Sequence, residues 1–179
     1  MILFILSLSY FLHLTATVMW IGGMAMVLLV ILPAAKMTLG SASIVGQLMK
    51  AIAKRFASMA NVSIFLLIVT GIVIAHYEGK RTGFLDFGDP SSFIMILKHV
   101  LVALMILIHY YRIMILNPKA EKISSKTHES HADPILSSKA TRLRKLSLDL
   151  VKVNLILGTT VLLLTALSVP ILALDQISN

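Results

Sequence analysis

Four of the six histidines in this 179-residue chain fall inside stretches otherwise suited to lipid: His13, His76, His99 and His109. An ionisable side chain in hydrocarbon costs free energy, so each must find a partner, face a water-filled cavity or bind something. Imidazole nitrogen is a strong metal ligand, and a haem iron takes two axial ligands from opposite sides, which the core of a helical bundle supplies from facing helices. The plainer use, and the commoner one for a lone membrane histidine, is a hydrogen bond to a neighbouring helix. The chain has no cysteine, which excludes disulfides, thiolate metal sites and cysteine nucleophiles. Nothing in it resembles a nucleophile triad, a phosphate loop or a nucleic-acid motif.

The elements that carry these histidines follow from composition. The chain is 58% hydrophobic and 13% charged, with a mean hydropathy of +0.91, outside the range of a soluble domain. Apolar stretches at about 2–35, 57–77, 93–116 and 153–174 are each long enough to cross the hydrocarbon core as a helix. The expected fold is all-α, a transmembrane four-helix up-down-up-down bundle forming a single four-span domain. The polar segments 36–56 and 117–152 read as cytoplasmic loops, and their Lys/Arg spacing suggests helical extensions at the membrane surface.

Loop charge sets the expected orientation. Lys36, Lys50, Lys54 and Arg55 lie in the first loop, and Lys119, Lys122, Lys126, Lys139, Arg142, Arg144 and Lys145 in the third. The second loop sets only Lys80 and Arg81 against Glu78, Asp86 and Asp89. By the positive-inside rule the first and third loops face the cytoplasm, so both termini lie outside the plasma membrane. The net charge of +8 then reflects topology and not a nucleic-acid partner. The N-terminus lacks a positive n-region and its apolar run is long for a signal peptide, so a retained first span is expected.

At 1.5 Å per residue, His13 lies roughly 34 Å from Lys36, His76 roughly 28 Å from Ala57 and His99 roughly 27 Å from Asn117. These three histidines are therefore expected together in the outer part of the bundle, with His109 only about 12 Å from the inner end. In a sequential bundle the first and third helices are diagonal, which favours His13 and His99 as an axial pair, with His76 beside them as an alternative ligand or a hydrogen-bond donor. His109 has three readings: one ligand of a second, His/Met haem, a partner for a quinone, or a plain interhelical hydrogen bond. Lys98 could pair with a haem propionate or snorkel to the headgroups. Trp20 could line the pocket or simply pack.

Thioethers bind Cu(I), and the spans hold Met19, Met24, Met26, Met59, Met95, Met105 and Met114. Methionine is also a common apolar filler, and core packing is the plainer reading. The segment THESHADP, with His128 and His131, has too few ligands for a firm metal site.

FLHLTATVMWIGGMAMVLLVILPA resembles the opening helix of the copper-resistance D-like integral membrane family. KRFASMANVSIFLLIVTGIVIA, ILKHVLVALMILIHYYR and LRKLSLDLVKVNLILGTTVLLLTAL resemble its second, third and fourth helices. Related four-helix membrane families include b-type haem proteins. Among them is a protoporphyrinogen oxidase whose first-helix histidine and third-helix lysine are matched by His13 and Lys98. The additional His76, His99 and His109 depart from a copper permease pattern and turn the reading toward haem. The resulting expectation is a membrane cytochrome holding haem b and moving electrons from a quinol, or another small redox partner, to an acceptor at the outer face. Copper handling is the alternative reading, and porphyrinogen oxidation the enzymatic one. The lipid bilayer is an expected partner, and a second copy of the chain another.

Overall fold

The computed structural model describes residues 1–82, 90–129 and 134–178, with side chains described for 1–77, 93–125 and 135–168. Four helices are long and apolar enough to cross a membrane: Ile2–Thr38, Ala42–Tyr77, Phe93–Ser125 and Ile135–Ser168. No strand occurs among the described residues. The chain divides into two compact units, Met1–Phe93 and Ile94–Asn179.

The first unit is a helix pair. Helix α1 spans Ile2–Thr38 and α2 spans Ala42–Thr82. Lipid is as apolar as a leucine side chain, so the face a membrane helix buries is selected by size and hydrogen bonding rather than by hydrophobicity. On α1 that face carries Ser9, Ala16, Trp20 and Met24, and on α2 Ala60, Ser63, Ile64 and Thr70, all buried. The steps of three, four and seven keep these residues on one side of each helix. Large apolar side chains such as Leu29, Phe65 and Ile72 face outward. At Gly23 the two helices come close. A Cβ there would sit 2.6 Å from Phe56 Cε2 and 2.8 Å from Met59 Cε, so any larger residue would force the Phe56 ring and the thioether aside.

Two π-helical turns interrupt α1, at Val18–Gly22 and Met26–Ile31. Pro33 follows the second. A proline removes one rung of the helix ladder and crowds the turn before it, a common setting for a local departure from α geometry. The helix stops at Thr38, and Gly40 reverses the chain with φ +56°, a conformation that suits a residue without a Cβ. Only residues 39–41 therefore separate the helices, and residues 42–56 are a continuous extension of α2.

The second unit pairs α3, residues 90–129, with α4, Pro134–Ser178. Helix α3 is α-helical over Pro90–Tyr111, passes through a π-helical turn at Arg112–Leu116, and resumes over Asn117–Glu129. Polar bonds tie the two helices along their length. Lys98 Nζ lies 3.5 Å from Ser168 Oγ, and Asn154 Nδ2 donates to the Met105 carbonyl at 3.1 Å. Arg112 Nε donates to Ser147 Oγ at 3.3 Å, Ser147 Oγ to Asn117 Oδ1 at 3.0 Å, and Arg144 Nη2 to Ser124 Oγ at 3.2 Å. Positions rise on α3 as they fall on α4, so the pair is antiparallel.

Candidate functional site

His13 lies half-buried on α1, facing α2. Its Nδ1 is 2.8 Å from Thr70 Oγ1, and its Cε1 would lie 3.6 Å from a Cβ at Gly71, so the ring rests against a stretch of backbone left bare by glycine. Thr70 has a single hydroxyl proton, which it donates along its own helix to the Leu66 carbonyl at 2.6 Å. Its oxygen is then the acceptor for His13 Nδ1–H, which places the imidazole lone pair on Nε2. Fixing one ring nitrogen by a hydrogen bond orients the other as a ligand, an arrangement that metal-binding histidines regularly use.

The remaining histidines are differently placed. Because α2 begins at Ala42 and not at Ala57, depth along it must be counted from Gly40. His13 is level with Thr70 and Gly71. His76 stands six residues beyond Thr70, about 9 Å further along the axis. The expectation that His13 and His76 share one level is corrected accordingly. His76 is exposed, its ring edge-on to Tyr77 with centroids 5.5 Å apart.

In the second unit His99 is exposed, and its Nδ1 donates to the Met95 carbonyl at 2.7 Å, which again places the lone pair on Nε2. His109 is 1% exposed, its ring edge-on to Tyr110. Lys98 reaches across to α4 at Ser168. Trp20 is buried inside the first π-helical turn of α1, between the levels of His13 and Met24.

Burial sorts the methionines. Met24 and Met105 are 1% exposed, Met59 and Met95 are half-buried, and Met19, Met26 and Met114 face outward. The outward three can reach no interior ligand, and they read as lipid-facing filler. No group of three or more His, Cys, Asp or Glu side chains with metal-ligand spacing occurs among the described residues. His131, and the side chain of His128, lie outside the described residues.

The Thr70 hydroxyl and the three π-helical turns are what sequence reading missed. Threonine inside a membrane helix commonly bonds back to its own helix, as Thr15, Thr17 and Thr159 also do here. Thr70 is distinguished only by the histidine it faces.

No curated protein and no solved structure matches the chain. A family model for copper resistance protein D matches residues 50–168, taking in most of α2, all of α3 and α4 as far as Ser168. Covering more than half the sequence, and agreeing with four helices of membrane-spanning length, that match shows that the chain belongs to the copper resistance protein D family of integral membrane proteins.

Proposed function

We propose that this protein handles copper ions in the plasma membrane, accepting them as cargo at His13 in the interior of its first helix pair. Family membership supports copper, the alternative of the sequence reading, in preference to haem b. The observation that carries the proposal is the His13–Thr70 hydrogen bond, which fixes the orientation of an imidazole inside the first helix pair. Cu(I) favours imidazole and thioether, and both occur on the interior face of this pair. Met24 is eleven residues, about 17 Å, further along α1, with Met59 close to the neighbouring Gly23. They form a second station rather than part of the same coordination sphere. Copper passes from imidazole to thioether along one face of the pair, and no carboxylate or thiolate is needed to hold it.

Both termini lie outside in this proposal, on the strength of the loop charges, and the copper station at His13 then lies toward the outer surface. Purified protein loaded with Cu(I) is expected to retain copper by elemental mass spectrometry and to lack the intense visible bands of a low-spin haem. A haem spectrum in protein purified without added metal would restore the cytochrome reading. Reporter fusions at Glu129 are expected to register as cytoplasmic and fusions at Asp86 as external.

A further inference from the structure

The second helix pair contains a cation that the copper reading does not use. Arg112 is 7% exposed at the inner end of the α3 span, and its side-chain partner among the described residues is the neutral Ser147, held through Nε. Ser147 passes its own proton to Asn117, so the relay ends on an amide and not on a carboxylate. The four Nη hydrogens make no hydrogen bond among the described residues. A buried guanidinium without a counter-charge is costly in a membrane protein and marks a functional site unless an anion compensates it.

Three further observations say what that anion is. Arg112 opens the π-helical turn Arg112–Leu116, an irregularity that recurs at binding sites. The helical hairpin beyond it is basic. Lys119, Lys122, Lys126, Lys139, Arg142, Arg144, Lys145 and Lys152 outnumber Glu121, Glu129, Asp133 and Asp149. On its flank lies a groove of about 540 Å³ with Lys139, Arg142 and Lys145 around an apolar floor of Ile123, Leu143 and Leu146. The acid in that groove, Asp149, is already taken by Lys152 at 2.8 Å. A copper ion is repelled by this field, whereas an oxyanion is drawn in.

We propose that Arg112 binds a phosphate-type oxyanion at the inner end of the second helix pair. Its Nη donors form a forked bond to two oxygens, and the Ser147–Asn117 relay holds the guanidinium in place. Guanidinium geometry matches phosphate in this two-pronged way, which an ammonium cannot reproduce. The phosphate comes from the headgroup of an anionic phospholipid in the inner leaflet or from free phosphate in the cytoplasm.

The test uses the full chain in phosphatidylcholine nanodiscs. Its thermal midpoint is followed as phosphatidylglycerol replaces part of the lipid, or as inorganic phosphate is added to pure phosphatidylcholine discs. The expected result is a rise of about 5 °C at saturation, lost in Arg112→Gln, partly kept in Arg112→Lys and fully kept in Lys36→Gln, an exposed lysine of the first pair. A response to phosphatidylglycerol alone assigns the headgroup, and a response to phosphate assigns the free ion. Should Arg112→Gln fail to fold, mass spectrometry of lipid retained by the washed wild-type chain decides. Retained phosphatidylglycerol at about one per chain, or a phosphate response, upholds the site. A wild-type chain insensitive to both anions and retaining neither, or an Arg112→Gln chain that responds like wild type, overturns it.

Discussion

The two helix pairs solve the same problem, burying one face of each helix against another in lipid, by different means. In the first pair the interface is built on shape: Ala16, Gly23 and Ala60 admit a close approach, Trp20 fills the space between, and a single histidine is tied to a single threonine. In the second the interface is built on polarity, a ladder from Lys98 and Ser168 through Asn154 to Arg112, Ser147 and Asn117. The chemistry follows the packing. The first pair holds neutral imidazole and thioether groups on its buried face, while the second holds the fixed positive charge of Arg112. In the proposed reading one half suits cations and the other repels them.

The comparison can be broken at the tightest point of the first pair. Trp20→Ala leaves a large void in a shape-built interface and is expected to cost about 3 kcal/mol, read as a lowered thermal midpoint in nanodiscs. A loss below about 1 kcal/mol would mean that the two pairs do not differ in how they are held. Gly23→Leu comes next, at about 2 kcal/mol from overpacking against Phe56 and Met59, whereas Gly22→Leu is expected to be near neutral because a Cβ there meets nothing within 4 Å. Equal effects at the two adjacent glycines would remove the close approach from the account.

Thr70→Val sharpens the chemical side. Valine keeps the shape and loses the acceptor, so Cu(I) affinity is expected to fall about tenfold with little change in stability. The smallest effect belongs to the polar pair. Asn154→Ala removes one interhelical bond to the Met105 carbonyl, expected to cost about 0.6 kcal/mol, the usual worth of such bonds in membranes. A cost of several kcal/mol would show that Asn154, whose Oδ1 is buried without a hydrogen-bond partner among the described residues, serves more than packing.

How much of this was legible in the sequence differs by level. The four apolar stretches, their helical nature and the copper-resistance resemblance were readable, because hydropathy over a span is a sum that single residues hardly disturb. The helix ends were harder. Residues 42–56 lie in a segment that reads as a cytoplasmic loop with helical extensions at the membrane surface, and they are helix throughout, continuous with the second span. The start of that helix was not legible, so the depth of His76 counted from Ala57 falls too close to that of His13, which meets Thr70. The partner of His13 was out of reach for another reason. Which threonine a histidine meets depends on the rotation of two helices, and a π-helical turn such as Val18–Gly22 changes that rotation without a mark in the sequence. The sorting of Met24 and Met105 from the outward methionines was hidden too, since lipid and protein interior select the same apolar residue types.

The central claim, that His13 held by Thr70 is the copper ligand of the first pair, is tested most directly by competition. Wild-type protein and His13→Ala, both in nanodiscs, are titrated against a chromophoric Cu(I) chelator, with His99→Ala as the comparison. The account predicts that His13→Ala weakens Cu(I) binding by about a hundredfold and that His99→Ala leaves it near wild type. Wild-type affinity in His13→Ala, or the loss appearing in His99→Ala instead, would contradict it.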